Sequence, residues 1–221
     1  MSSDPRPKQA LFEQLAVLAQ ALASAARLEL LDYLAQAERS VEELAQAAGL
    51  SLANTSKHLQ QLKSAGFVQG RREGKRIYYR LADDRALDAV AALRSLAEAR
   101  LERVNELVAS YLHSRDSLEP LPAAELLERL RDGLVTVIDV RPPLEYAQGH
   151  IPGALNLPLD TLATRLATLP REREVIAYCR GPWCVLSFEA VAALRAAGFD
   201  ARRLEDGLPE WRHAGRPIES A

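Results

Sequence analysis

Cysteine is scarce in this chain. It has two in 221 residues, Cys179 and Cys184, too few for the disulfide scaffold that holds small secreted domains together. It also lacks an apolar run of about 18 residues, the length a helix needs to cross a bilayer, so no membrane span is expected. The opening residues, Met1-Ser2-Ser3-Asp4-Pro5-Arg6, have no apolar signal-peptide core, and a cytoplasmic location is expected. In a reducing compartment, two cysteines point to redox or sulfur chemistry rather than to a staple. Large net charge is missing as well, at −2 overall.

That small net charge hides an asymmetry. Residues 1–115 carry sixteen Lys/Arg against fourteen Asp/Glu, whereas residues 116–221 carry twelve against sixteen. Within 57–80, seven basic residues (Lys57, Lys63, Arg71, Arg72, Lys75, Arg76, Arg80) face Glu73 alone. Such a cluster is an electrostatic footprint for nucleic acid. A 48% apolar, 26% charged composition reads as globular, and the length suits two domains of about 100 residues each.

The first half is rich in helix signals. Residues 8–22 and 27–36 have leucines at helical spacing. Ser40-Val41-Glu42-Glu43 is a capping box, opening a short helix that ends at Gly49. Ser51 caps the next helix, whose stripe of Thr55, Leu59 and Leu62 faces inward. Two short helices joined through Gly49-Leu50-Ser51 form a helix-turn-helix signal. Ser51, Asn54, Ser56, Lys57, His58 and Gln61 are the candidate DNA contacts of the second helix, the place where base edges are read. Strands at 67–70 and 77–81 flank a basic hairpin tip, Arg71-Arg72-Glu73-Gly74-Lys75-Arg76. Arg71, Arg72, Lys75 and Arg76 there are candidate phosphate contacts, which position the protein without specifying sequence.

Residues 8–112 resemble the ArsR/SmtB family of winged-helix transcriptional repressors. The resemblance lies in Ala26-Arg27-Leu28-Glu29-Leu30-Leu31, Val41-Glu42-Glu43-Leu44-Ala45, Ser56 through Val68, and Gly74-Lys75-Arg76-Ile77-Tyr78-Tyr79-Arg80-Leu81. It implies operator DNA as partner and a homodimer built from the first and last helices. The segment Asp84 to Leu112, with Leu87, Val90, Leu93, Leu96, Leu101, Val104 and Leu107, suits the latter role. Metal-sensing members place cysteines in the helix before the recognition helix, or histidines on the last helix. Val41 to Ala48 has no cysteine, and the last helix has no histidine before His113. No metal site and no cofactor are therefore expected.

Residues 114–122 are polar, with prolines at 120 and 122, and read as a linker between domains at 1–113 and 123–221. A short helix, Ala123 to Arg131, and a turn at Asp132-Gly133 follow. Val135-Thr136-Val137-Ile138-Asp139-Val140 is a nearly continuous β-branched run, as expected of a parallel strand buried on both faces. Further strands at 174–178 and 201–204 alternate with a helix at 185–197. The expected second fold is an α/β parallel sheet with ligands at strand C-terminal ends. The loop Cys179-Arg180-Gly181-Pro182-Trp183-Cys184 sits at such an end, at the start of a helix, where unpaired N–H groups favour thiolate.

Residues 120–219 resemble a single rhodanese domain. Asp139-Val140-Arg141, Glu145-Tyr146, Gly149-His150-Ile151-Pro152-Gly153-Ala154, the Cys179 loop, and Gly207 through Trp211 to Gly215-Arg216-Pro217 carry this. The resemblance implies that Cys179 takes up sulfane sulfur as a persulfide, with Asp139 and Arg141 supporting the site and Arg180 as loop cation. The loop departs from the sulfurtransferase pattern, which has arginine five places after the cysteine; Cys184 stands there, and Pro182 removes an amide donor. A phosphatase-like loop would need arginine at 185, which is valine.

Cys184 offers instead a resolving or bridging thiol, provided the two Cα atoms lie within about 7 Å. The expected function is a DNA-binding regulator, a repressor, that senses reactive sulfur species or redox state through Cys179 and Cys184. Two alternatives stay open: a sulfurtransferase working through a Cys179 persulfide, and a metalloid-responsive repressor. The expected partners are operator DNA, a second copy of the chain, and a small reactive sulfur species or thiol donor, with no membrane.

Overall fold

The computed structural model describes residues 6–113 and 120–221. The chain divides into two compact units, Met1–Leu93 and Arg94–Ala221. Of the expected linker at 114–122, residues 114–119 lie outside the described residues.

The first unit runs α1 (Pro7–Leu22), α2 (Ala25–Gln36), β1 (Arg39–Ser40), α3 (Val41–Ala48), α4 (Leu52–Ser64), β2 (Val68–Glu73), β3 (Arg76–Leu81) and the beginning of α5 (Arg85–Arg100). The capping box forms as spelled in the sequence: Glu43 N donates to Ser40 Oγ at 3.2 Å, and Ser40 N to Glu43 Oε2 at 2.8 Å. Gly49 ends α3 at φ 64°, ψ 27°, a left-handed position where a Cβ would be strained. Ser51 caps α4 through its side chain, which accepts from Asn54 N at 3.3 Å.

Leu30, Leu31, Leu34, Leu44, Leu59, Leu62, Val68 and Tyr79 make the core of this unit. Each fully buried leucine contributes about 1.5–3 kcal/mol, which is what fixes α3 and α4 in the helix-turn-helix arrangement.

The wing is longer than the sequence spacing suggests. The β2–β3 ladder runs from Val68↔Leu81 to Glu73↔Arg76, so Arg71, Arg72 and Arg76 stand in strands rather than in a loose tip. Only Gly74, at φ 59°, and Lys75 make the turn. β1 adds a third strand on β3.

The last helix also differs from expectation. Spacing predicts one helix across Asp84 to Leu112, but Leu101 leaves helical geometry at φ −108°, ψ 100°. Asn105 Nδ2 donates to the Glu98 carbonyl at 3.0 Å, and so occupies an oxygen left by the break. α6 (Glu102–Val108) and a π turn (Ala109–His113) follow. Leu87 and Val90 pack on the first core, whereas Leu93, Leu96, Leu101 and Leu107 are exposed. On α1, Leu11, Phe12, Leu15, Val17 and Leu18 are exposed as well.

The second unit continues with α7 (Ala123–Arg131), β4 (Val135–Asp139), α8 (Pro143–Gln148), β5 (Leu155–Asn156), α9 (Leu159–Arg165), β6 (Glu174–Tyr178), α10 (Val185–Ala196), β7 (Ala201–Arg203) and α11 (Leu208–His213). The sheet order is β5-β4-β6-β7, all parallel. Leu121 extends the β7 edge, donating to the Arg203 carbonyl at 2.8 Å and accepting from Glu205 N at 3.0 Å.

Strand residues alternate between two cores. Val135, Val137, Ile176 and Tyr178 join Leu126 and Trp211 on one side. Ile138, Val175 and Ala177 join Ala190, Val191 and Leu194 of α10 on the other. Burial on both faces is why these strands read as unbroken apolar runs. Among the described residues, no single helix is long and apolar enough to cross a membrane.

Candidate functional site

β6 and α10 position the cysteine loop. Val175, Ile176, Ala177 and Tyr178 are fully buried and fix the strand. Cys179 leaves its end 2% exposed. Cys184 is the N-cap residue of α10. The intervening residues curl back, with Cys184 N donating to the Gly181 carbonyl at 3.0 Å. This brings the Cα atoms of Cys179 and Cys184 to 6.3 Å, and the two residues are joined by a disulfide. The span lies within the range a disulfide tolerates.

The loop rests on the segment that opens α11. Leu208 N donates to the Cys179 carbonyl at 3.2 Å. A Cβ built on Gly207 would lie 2.3 Å from the Arg180 carbonyl carbon and 2.4 Å from Gly181 N. Glycine is required there for space, not conformation, since its φ is −99°. Glu210 Oε2 accepts from Gly207 N at 3.1 Å and keeps that segment in place.

Arg180 does not point a spare cation at the sulfurs. Its Nη2 donates to Glu145 Oε1 at 2.7 Å and its Nε to both carboxylate oxygens at 3.1 and 3.2 Å. Glu145 is fully buried, so in this low-dielectric setting the two charges serve one another.

Asp139 and Arg141 form a second closed cluster at the end of β4, both fully buried. Arg141 Nη2 donates to Asp139 Oδ2 at 2.6 Å and to the Gly149 carbonyl at 2.7 Å. The Tyr178 hydroxyl donates to Asp139 Oδ2 at 2.6 Å and accepts from Ile151 N at 3.0 Å. Burial pushes the Tyr178 phenol well above its ordinary pKa, and the Asp139 charge adds to this. Burial alone would lower the Arg141 pKa; Asp139 outweighs it and leaves the guanidinium more firmly charged. The geometry ties the β4 end to the β6 end that carries Cys179. It is a brace beneath the loop.

In the first unit, Ser51, Asn54, Lys57 and Gln61 lie exposed on α4, with Ser56 and His58 half-buried. Gln61 is partly engaged, since its Oε1 accepts from Arg27 Nη1 at 2.7 Å. Lys75 and Arg76 are exposed on the wing, and Arg72 Nε donates to the Gly74 carbonyl at 3.1 Å. Arg71 is held by two acids: Nη2 meets Glu38 at 2.7 Å, Nη1 contacts Glu73, and the guanidinium lies 4.7 Å from the Tyr78 ring centroid. The Glu38 hydrogen bond first, and then Glu73, holds the Arg71 pKa above its ordinary value. Among the described residues, no group of three or more His, Cys, Asp or Glu side chains is placed to hold a metal ion.

Sequence reasoning missed what several acids do. Glu38 lies outside the 57–80 window and reaches Arg71 across 33 positions. Glu145 and Gly207 stand in quoted motifs, but only the packing gives them the Arg180 pairing and the loop support.

The comparisons with known proteins fall along the same division. Residues 22–71 match a helix-turn-helix domain family, and residues 122–214 match the rhodanese-like domain family. The chain is 45% identical over 219 residues to the HTH-type transcriptional regulator Rv0324 of Mycobacterium tuberculosis, covering 99% of this chain and 96% of that one. It is 36% identical over 100 residues to a sulfurtransferase of Allochromatium vinosum, covering 44% of this chain and 92% of that one. A solution structure of the homodimeric winged helix-turn-helix DNA-binding domain of a Mycobacterium bovis protein shares 44% identity, with a TM-score of 0.42, over 47% of this chain and 95% of that one.

Proposed function

Because the chain belongs to the ArsR-type helix-turn-helix transcriptional regulators that carry a C-terminal rhodanese domain, we propose that it is a cytoplasmic repressor whose operator affinity is set by reactive sulfur species acting on Cys179 and Cys184. Residues 1–113 are the DNA-binding and dimerisation part, 114–122 the connection, and 123–221 the input. Ser51, Asn54, Ser56, Lys57, His58 and Gln61 meet bases, and Arg72, Lys75 and Arg76 meet phosphates. The exposed leucines of α1 and α5 bind the same helices of a second copy.

One observation carries the reading. The only two cysteines close on each other at the place where a sulfurtransferase loop keeps an arginine, and the remaining loop cation is paired with buried Glu145. Such a loop suits switching better than capture of a dianionic donor.

The chemistry balances without a cofactor. The Cys179 thiolate attacks the outer sulfur of a hydropersulfide RSSH, forming a Cys179 persulfide and releasing RSH. Cys184 thiolate then attacks Cys179 Sγ, forming the Cys179–Cys184 disulfide and releasing hydrogen sulfide. Two thiols are oxidised by two electrons, and the transferred sulfur is reduced. Cellular thiols reverse the bridge by exchange.

The test is DNA binding before and after treatment with sodium tetrasulfide, using a duplex selected from a random pool by the protein in either state. A changed affinity that is lost in Cys179→Ser supports the proposal; an unchanged one overturns it. The second reading, sulfur transfer as the main activity, draws support from the likeness to a sulfurtransferase over 100 residues. Sustained thiosulfate-to-cyanide turnover would favour it.

A further inference from the structure

Two contacts inside the second unit connect the cysteine loop to the end of α5. Trp183, the residue before Cys184, is exposed, and its Nε1–H donates to Glu98 Oε1 at 2.8 Å. Arg94 donates through Nη1 and Nη2 to Glu210 Oε1, both at 3.2 Å. Glu210 is the residue whose other oxygen holds Gly207 N, and a Cβ on Gly181 would come within 3.5 Å of it. Arg94 and Glu98 are four apart in one helix, so they lie on the same face.

We infer that Arg94 and Glu98 are positioning residues through which the state of the Cys179–Cys184 loop reaches α5. This rests on the proposed sulfur-responsive reading of the loop and names its route of regulation. In the bridged protein the ring Cys179–Cys184 fixes the backbone of Trp183, and the indole stays on Glu98. A dithiol reductant breaks the Sγ–Sγ bond, delivers two electrons and two protons to give two thiols, and becomes a cyclic disulfide. Residues 180–183 then keep the Arg180–Glu145 pair and their hydrogen bonds but lose the covalent ring, and the Trp183–Glu98 contact weakens.

There is room for the indole to leave. A cleft of about 320 Å³ borders Glu98, Trp183, Pro182, Phe188 and Arg203. α5 runs from Arg85 to Arg100, and both contacts fall on its C-terminal part. A two-state contact of this kind biases an equilibrium only by its difference between states; for a hydrogen bond to a carboxylate that is on the order of tenfold.

The experiment is hydrogen exchange over 94–108 in the full-length protein, in the dithiol state and in the bridged state made with tetrasulfide. The bridged form is expected to exchange roughly tenfold more slowly there. Glu98→Ala and Trp183→Phe should abolish this difference, while mass spectrometry shows that the bridge still forms. Glu98→Gln keeps an acceptor oxygen and should restore most of it. Equal exchange in both states of the unaltered protein, or a full difference in Glu98→Ala, overturns the inference. The DNA-binding assay is read separately: exchange that responds while affinity does not leaves the latch standing and removes the functional reading. Affinity that responds while exchange does not removes the latch alone.

Discussion

Arg180 and Glu145 form a forked ion pair beside the cysteine loop, with contacts of 2.7 to 3.2 Å and the carboxylate fully buried. The pair decides both how the loop is held and what it attracts. Removing one partner leaves a charge where water does not reach. Arg180→Ala is therefore expected to destabilise the protein by about 3 kcal/mol, read from chemical unfolding. Arg180→Lys keeps the charge but not the fork and should fall between. An unfolding midpoint for Arg180→Ala equal to that of the unaltered protein would contradict the pairing.

Gly207 gives a sharper test of the loop's support. A methyl group there meets the Arg180 and Gly181 backbone at 2.3 to 2.4 Å, so the loop or α11 must shift. Gly207→Ala should cost about 1–3 kcal/mol and slow closure of the Cys179–Cys184 bridge, measured by timed alkylation. Gly149→Ala is the comparison, because its nearest side-chain atoms lie at 3.7 and 3.8 Å. It should change stability by less than about 0.5 kcal/mol.

The exposed face of α1 predicts the assembly. Leu11 is 68% and Leu15 57% exposed in the single chain, an arrangement that costs free energy unless another surface covers it. Leu11→Glu with Leu15→Glu should convert a dimer to a monomer in light scattering. Each chain should keep its helix content, since neither side chain belongs to the core. A dimer unaffected by the pair would place the interface elsewhere.

On the wing, charge alone is a poor guide to DNA contact. Lys75→Ala should lower affinity for all duplexes and reduce the salt slope by about one. Arg71→Ala should do less, because Glu38 and Glu73 already hold that cation. Equal effects would show that DNA draws Arg71 away from both acids.

The contrast between Arg71 and Ser40 shows what sequence carries. The Ser40–Glu43 box, the Gly49 stop and the Ser51 cap depend on residues five or fewer places apart, so local spacing suffices to read them. The continuous run at 135–140 likewise announces a strand buried on two faces. Glu38 with Arg71, Glu145 with Arg180, and Gly207 against Gly181 are set by tertiary packing, and spacing along the chain does not encode them. The break at Leu101 was also hidden, because leucines at helical spacing continue through it; only the Asn105 side chain reaching the Glu98 carbonyl explains how the helix stops there. For the cysteines, spacing permitted a bridge without requiring it.

The central claim is that closure of Cys179 on Cys184 sets DNA affinity. It is tested most directly by titrating one preparation from dithiol to fully bridged and measuring, on the same samples, the bridged fraction by mass spectrometry of the 175–195 peptide and the affinity for a selected duplex. The account predicts that affinity follows the bridged fraction, and that Cys184→Ser takes up sulfur on Cys179 without the change. Affinity that stays constant from no bridge to complete bridging would contradict it.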